Sequence, residues 1–130
     1  MNESNPSDEI LAELLTLTRE VDPDGTIRYL NSEGKEHRVY GPAIIFTGGT
    51  EYWCHNGEVH REGGPAVIRS GGIRLWYKHG KHHRVDGPAA IYPGGEPRWY
   101  LHGYRMSESE WKRLVNKMSE CDQPPVKRDE

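Results

Sequence analysis

Apolar and polar positions along the middle of the chain follow a pattern that recurs every 23 residues. Short apolar runs alternate with pairs of turn-forming residues, such as Asn56-Gly57 and Gly71-Gly72, and this alternation is typical of β-hairpins. The same step separates Gly34, Gly57, Gly80 and Gly103, and it separates the triplets Gly41-Pro42-Ala43, Gly64-Pro65-Ala66 and Gly87-Pro88-Ala89. One hairpin per repeat predicts a mainly β fold, an antiparallel β-meander.

Both ends of the chain predict a helix instead. Apolar residues recur at helical spacing in residues 7–20 (Ile10, Leu11, Leu14, Leu15, Leu17) and in residues 108–119 (Trp111, Leu114, Val115, Met118). Ser107, with Glu110 three residues later, fits a capping box. We therefore divide the chain into an N-terminal helix (1–21), about 3.5 hairpin repeats (22–106), a C-terminal helix (107–120) and a disordered tail (121–130).

The predicted turns fix which residues face each other across each hairpin. A two-residue turn at Asn56-Gly57 pairs Trp53 with His60. The same turn pairs Tyr52 with Arg61. Alternation along the strands then predicts two sheet faces that are both apolar. The two short helices can cover one face or cap the two ends of the array, but they cannot shield both faces.

The Gly-Gly pairs predict the turns at the opposite ends of the hairpins. Centred on Gly71-Gly72, such a turn pairs Ile68 with Leu75. It also sets Arg69 opposite Arg74, a like-charge pair that destabilises slightly unless an anion or an acidic partner lies nearby. An acidic partner surface is therefore expected at this place.

An aromatic column runs through the repeats, with Trp53, Trp76 and Trp99 at one position and Leu30 there in the first copy. The 23-residue step, the aromatic residue before an x-Gly turn and the closing Gly resemble MORN-type repeats, especially the variant arrays of bacterial and phage proteins. The resemblance covers residues 24–106, and this chain differs in its His-Arg pairs and Gly-Pro-Ala triplets. It implies a twisted ladder of hairpins used as an interaction scaffold, and a membrane-surface or lipid-binding role is an alternative.

Composition predicts a cytoplasmic protein with a basic repeat region. Cys54 and Cys121 lie in different contexts and predict reduced thiols. No run approaches the roughly 18 apolar residues of a membrane span. The net charge of −3 divides into +3 for residues 24–106 and −6 for the rest. We expect the protein in the cytoplasm, which is the host cytoplasm if the chain is phage-encoded.

The repeated His-Arg pairs are the candidates for chemistry. His79, His82 and His83 are close in sequence, but strand neighbours point to opposite faces, and no Cys or carboxylate completes a set of metal ligands. No nucleophile repeats beside them, so we expect neither an enzyme nor a metal or other cofactor. The histidines are expected to stack on the Trp column. The arginines either lie over Tyr or Leu across the strand or form a row that binds carboxylates or phosphates.

The third repeat carries the most distinctive charge. Residues 69–84 include five basic side chains and no acid, with aromatic residues between them. We predict the partner-binding residues in this stretch: Arg69, Arg74, Trp76, Lys78, Lys81, His83 and Arg84. The predicted function is non-enzymatic binding of an acidic protein surface, for example by a phage-encoded inhibitor of a host or defence protein. A nucleic-acid or nucleotide binder is the alternative, and self-association stays open.

Overall fold

The chain folds into a mainly β structure, an antiparallel meander of short strands between two helices. The computed structural model describes residues 6–122, and their side chains from 7 to 118. The helices are α1 (Pro6–Thr16) and α2 (Glu108–Asp122). The strands are β1 (Thr18–Val21), β2 (Ile27–Leu30), β3 (Ile44–Ile45), β4 (Glu51–Tyr52), β5 (Cys54–His55), β6 (Glu58–Val59), β7 (Val67–Arg69), β8 (Ile73–Leu75), β9 (Tyr77–Lys78), β10 (Lys81–His82), β11 (Ala90–Ile91), β12 (Trp99–Leu101) and β13 (Tyr104–Met106).

Each repeat divides its strands between a shared sheet and a small hairpin. The seven-stranded sheet has the order β1-β2-β3-β4-β7-β8-β11, and the pairs β5–β6, β9–β10 and β12–β13 form separate two-stranded hairpins. The chain changes from the sheet to a hairpin at Trp53 and again at Trp76, which lie between consecutive strands. We number the repeat copies one to four by their turn glycines, Gly34, Gly57, Gly80 and Gly103.

The two-residue turns are confirmed in copies two, three and four. Asn56, His79 and His102 all have φ near 49°, and the glycine after each also has positive φ. Both central residues are therefore left-handed, as a type I′ turn requires. Asn and Gly adopt this conformation with least strain, which is why Asn56-Gly57 could be recognised in the sequence.

The first hairpin departs from this pattern. The N–H of Gly34 donates to the carbonyl of Asn31, and Leu30 faces Glu36, so the loop is one residue longer than predicted. The extra residue shifts the register: His37 N–H donates to the carbonyl of Tyr29. Tyr29, rather than Leu30, is consequently the first member of the aromatic column, and the sequence-based assignment of Leu30 was wrong.

The predicted register at the Gly-Gly turns was also wrong by one residue. Arg69 faces Ile73 and Ile68 faces Arg74, so the connection has three residues, Ser70, Gly71 and Gly72. Val67, Leu75 and Ala90 therefore share a face, and Arg69 does not lie opposite Arg74. A shift of one residue exchanges the two faces of a strand, so the predicted division of side chains between faces does not hold.

The predicted pairing of Tyr52 with Arg61 does not occur either. Tyr52 pairs with Ile44 on one side and Val67 on the other, inside the main sheet. The N–H of Arg61 instead points to the carbonyl of Tyr77 in copy three, at 3.4 Å. The hairpin around Asn56-Gly57 thus ends at Trp53, because there the chain leaves the hairpin for the sheet.

The core is narrow and repeats with the array. The alanines that follow each Gly-Pro, Ala43, Ala66 and Ala89, are completely buried. Ala43 belongs to one buried cluster, with Ile44 and Cys54. Val67, Leu75 and Ala90 form a second buried cluster, and Ala66 and Ala89 directly precede two of its members in the sequence. Tyr52 contacts both clusters. Because the inward side chains are small, neighbouring copies approach closely.

The N-terminal helix is shorter than the predicted span of 7–20. It ends at Thr16, and residues 18–21 form β1, which pairs with β2 at the edge of the sheet. Thr16, Thr18 and Val21 are β-branched, and such residues favour strands over helices. The turn at residues 22–25 then reverses the chain, since Gly25 has φ of 93° and its N–H donates to the carbonyl of Asp22.

The C-terminal helix caps the end of the array. Trp111 is only 7% exposed, and its ring packs against that of Trp99 with centroids 4.5 Å apart and the ring planes tilted by 51°. Ser107 Oγ accepts a hydrogen bond from Glu110 N–H, which is one half of the predicted capping box, whereas the Glu110 carboxylate accepts from Arg113. The helix extends through Asp122, so it includes the start of the predicted tail, and residues 123–130 lie outside the described part. Neither described helix is long and apolar enough to cross a membrane.

Candidate functional site

Each His-Arg pair places its guanidinium between an aromatic ring and the Gly-Pro backbone. The guanidinium of Arg61 lies 3.6 Å from the centroid of the Trp53 ring. Its Nη1 donates to the carbonyl of Pro65 at 3.1 Å. On the other side lies Gly64, where a Cβ atom would come within 2.9 Å of Arg61 Cζ. Only glycine leaves room for this arginine, which explains why the two motifs repeat together.

The other complete copies are built in the same way. Arg38 lies over the ring of Tyr29 at 4.2 Å, and Arg84 lies over Trp76 at 3.8 Å. Their Nη1 atoms donate to the carbonyls of Pro42 and Pro88. Arg61 and Arg84 therefore lie on the column tryptophans and not on Tyr or Leu, whereas in copy one the column residue under Arg38 is a tyrosine. Because their guanidiniums already have internal contacts, the structural interpretation of the arginine row is favoured over an anion-binding row.

The histidine of each pair joins one copy to the next. The Nδ1 atom of His37 accepts from the N–H of Asn56 at 2.9 Å, His60 accepts from His79 at 3.0 Å, and His83 accepts from His102 at 2.9 Å. Each donor is the first residue of the next hairpin turn. The expected stacking on the Trp column is thus replaced by a bond between copies, and the rings of His60 and His79 lie 4.3 Å apart.

These bonds require neutral imidazoles. A ring nitrogen can accept a hydrogen bond only when it carries no proton. Burial lowers the pKa of His37, His60 and His83 below the usual value, which favours the neutral form. For His60 the carboxylate of Glu62, 2.6 Å from Nε2, partly opposes that effect.

Two equivalent grooves lie at the junctions between copies. The first groove, about 540 Å³, is lined by Val39 and Tyr40 of copy one and by Trp53 and His60 of copy two. The second, about 640 Å³, is lined by the corresponding residues of copies two and three. The lining of both grooves includes Arg61 and Glu62. We call the two grooves, with the loop Glu62-Gly63 between them, the trough.

The two helices bind the array on either side of this loop. The Glu13 carboxylate in α1 accepts from the N–H groups of Val39 and Tyr40 at 2.6 and 3.0 Å. Trp111 Nε1 in α2 donates to the carbonyl of Arg84 at 2.8 Å. Val39 and Arg84 belong to the same loop in copies one and three. Within the described part of the chain, no hydrogen bond joins either helix to this loop in copy two, although Met118 of α2 also lines the second groove.

The structure brings four of the seven predicted partner-binding residues together. Trp76, Lys78, His83 and Arg84 line the second groove. The other three lie outside the trough: Arg69 in β7, Arg74 in β8 and Lys81 in β10. Arg69 pairs with Ile73 and Arg74 with Ile68, so the two arginines project from opposite faces of the sheet. Lys81 pairs directly with Lys78. A like-charge pair does occur in copy three, but it joins these two lysines.

Sequence analysis missed the exposed residues of the trough that follow each His-Arg pair. These are Val39, Glu62 and Val85. A signal was available, because the two positions after each His-Arg pair do not repeat as the pair does: they are Val39-Tyr40, Glu62-Gly63 and Val85-Asp86. Since the repeated residues hold the copies together, variation at these two positions indicates a surface that is not needed for the fold.

Groups that could support catalysis are already engaged in structural contacts. Within residues 7–118, no set of three or more His, Cys, Asp or Glu side chains is arranged to hold a metal ion. Burial raises the pKa of the Cys54 thiol to about 11, so it is not a nucleophile at neutral pH. His60 has one ring nitrogen bonded to His79 and the other to Glu62.

Comparison with known proteins assigns no family to the chain. No family model matches the sequence, and no curated protein or solved structure matches it.

Proposed function

We propose that this chain is a non-enzymatic, MORN-like repeat module that binds a protein partner along the trough. The observation that carries the proposal is the joining of two equivalent grooves at Arg61 and Glu62, between the two helices. A continuous trough that repeats with the array suits an extended segment of a partner, which would meet similar groups at each junction.

The surface chemistry of the trough favours protein over nucleic acid. Its walls expose Val39, Tyr40 and Val85, and its charged groups include both Lys78 and Glu62. Protein interfaces combine apolar and aromatic centres with charges of both signs at the rim. Nucleic acid instead requires free basic groups along a groove, whereas the trough arginines stack on aromatic rings and donate to proline carbonyls.

The paired lysines of copy three favour a partner protein with an acidic surface. Lys78 and Lys81 face each other across a hairpin, where like charges repel. An acidic side chain of the partner would relieve this repulsion. We therefore expect the acidic contact at Lys78 in the second groove and not at the Arg69–Arg74 pair that the sequence suggested. The resemblance to phage arrays extends the proposal to an inhibitor of a host or defence protein in the host cytoplasm.

The decisive experiment compares two charge reversals of equal size. Lys78→Glu changes the trough, whereas Arg74→Glu changes an exposed position on the sheet outside it. Each full-length variant and the wild type are used to capture proteins from bacterial lysate, with and without nuclease, and captured proteins are quantified by mass spectrometry. We expect Lys78→Glu to lose more than about tenfold in recovery, about 1.4 kcal/mol, and Arg74→Glu to retain it.

Three results would contradict the proposal. Loss of capture by Arg74→Glu but not by Lys78→Glu would place the contact on the outer sheet surface. Loss of all capture after nuclease treatment would indicate a nucleic-acid binder. Equal capture by wild type and both variants would show that neither surface carries the function.

A further inference from the structure

The two grooves of the trough are built from equivalent positions of consecutive copies. Trp53 lines the first groove and Trp76, 23 residues later, lines the second. Val39, Glu62 and Val85 also follow one another at this step, so Glu62 is a wall of both grooves and each valine is the outer wall of one. Both valines are 48% exposed. A ligand that uses both grooves must therefore present two side chains one repeat apart.

The sheet sets the length of one repeat. β4 and β8 hold equivalent places in consecutive copies, and they lie two strands apart with β7 between them. Since neighbouring strands are about 4.8 Å apart, equivalent points of consecutive copies are about 9.6 Å apart.

This distance distinguishes the conformations that a partner segment can adopt. A polyproline II helix has three residues per turn and rises about 3.1 Å per residue, so its side chains at i and i+3 project the same way about 9.3 Å apart. On one face of a β-strand the side chains recur every two residues, about 6.7 Å, which is too short for one repeat and, doubled, too long. On one face of an α-helix they recur about every 5–6 Å, which places one of them on Glu62 between the grooves.

The backbone of the trough also argues against an added strand. The N–H groups of Asn56 and His79, at the two sides of copy two, already donate to the histidines of the preceding copy. Strand addition requires free main-chain groups, whereas a polyproline II segment docks through its side chains in grooves with aromatic walls. Trp53 and Tyr40 supply such walls in the first groove, and Trp76 does so in the second.

Charge distinguishes the two grooves. Lys78 lines the second groove and faces Lys81, whereas the equivalent position in the first groove is His55. An acidic residue of the ligand is therefore favoured at the copy-three end of the trough.

We propose that the trough binds a proline-rich segment of the partner in the polyproline II conformation. Two apolar side chains three residues apart enter the two grooves, and an acidic residue beside the second one contacts Lys78. This inference rests on the proposed function, to which it adds the conformation and the sequence pattern of the ligand.

A set of three synthetic peptides tests the spacing. Each contains two leucines separated by one, two or three prolines, is flanked by prolines, and ends in two glutamates. Binding to the full-length protein is measured by the fluorescence anisotropy of a label on the peptide. We expect the peptide with two prolines between the leucines to bind more than about tenfold more tightly than the other two. Replacing its glutamates with lysines should weaken binding by a similar factor.

Three matched variants locate the contact. Val39→Asn and Val85→Asn each make one groove wall polar, and both should bind the three peptides with nearly equal affinity, because only one groove then holds a leucine. Val21→Asn is the control, since Val21 is a 56% exposed valine in β1 outside the trough. It should keep the wild-type preference for two prolines.

Equal binding of the three peptides to the wild type, or no binding of any, would overturn the proposal. Tighter binding of a helical peptide with leucines seven residues apart would replace it with an α-helical ligand. In each case Lys78→Glu separates this failure from that of the proposed function: if that variant still loses capture from lysate, the trough remains the protein-binding site and only the form of its ligand is wrong.

Discussion

Arg61 shows how a side chain that seems suited to bind a ligand can serve the fold instead. Its guanidinium is covered by Trp53 on one side and by Gly64 on the other, and its Nη1 donates to Pro65. The cation–π contact and the hydrogen bond together offset much of the hydration free energy that the guanidinium loses when it leaves water. The glycine is therefore required by packing and not by an unusual backbone conformation.

This packing leads to a test at Gly64. In Gly64→Ala the new Cβ would lie 2.9 Å from Arg61 Cζ, so the guanidinium must shift from its place on the Trp53 ring. We expect the free energy of unfolding to fall by about 1–3 kcal/mol, measured by urea denaturation. Gly48→Ala is the control, because no atom lies within 4 Å of its Cβ position. A loss at Gly48 equal to that at Gly64 would show that the arginine does not fill this space.

At the scale of the hairpins, the sequence predicted some elements and not others for identifiable reasons. The dipeptide Asn56-Gly57 specifies a type I′ turn, since those two residue types adopt left-handed φ most easily. Gly71-Gly72 does not specify one turn type, because glycine permits turns of several lengths and the observed three-residue turn was equally allowed. The end of α1 was missed because the apolar spacing continues past Thr16.

The candidate site was predictable to the same limited extent. Trp76 and Lys78, which the basic and aromatic stretch of copy three suggested as partner-binding residues, line one groove in the structure. The grooves themselves depend on contacts between copies, such as the bond from His79 to His60, and no spacing within one repeat predicts these. Glu13, which positions α1 beside the trough, lies 26 residues from its partner Val39.

The histidine bonds between copies predict how stability depends on pH. Burial lowers the pKa of His37, His60 and His83 in the folded state below the ordinary histidine value of 6.5. As the pH falls through that value, the unfolded chain binds protons that the folded chain still excludes, so stability is lost. We expect the thermal midpoint to fall between pH 7 and about pH 5, where few carboxylates have yet titrated.

Substituting one of these histidines provides the control. In His60→Asn the side-chain oxygen can still accept from His79 N–H, but it does not titrate. The variant should lose less stability than wild type over the same pH interval, measured as the change in thermal midpoint. An unchanged pH dependence would assign the acid sensitivity to groups other than these bonds.

On the scale of the whole molecule, the chain is a series of copies joined to their neighbours by the same few contacts. His60 and Arg61 both join copy two to copy three, through the N–H of His79 and the carbonyl of Tyr77. In such an array, stability is close to the sum of terms for single repeats and for neighbouring pairs. An additional internal copy should therefore add one junction and one groove.

We expect an insertion to confirm this additivity. A second copy of residues 47–69, placed directly after Arg69, should raise the thermal midpoint above that of wild type. The control carries the same insertion with Ala at the inserted positions equivalent to His60 and Arg61, and it should melt below the first. If the two insertion variants have the same thermal midpoint, and that midpoint lies below that of the wild type, the His-Arg contacts do not hold the copies together.

Trp111 has a consequence for how such an array can change its length. In copies two and three an arginine covers the column tryptophan, but in copy four the chain's own helix covers Trp99 with Trp111. A copy added after copy four would have to displace that helix, whereas duplication of an internal copy leaves it in place. Lineages that lengthen this protein should therefore do so in the interior, and the terminal helix should move outward unaltered as each new copy is gained.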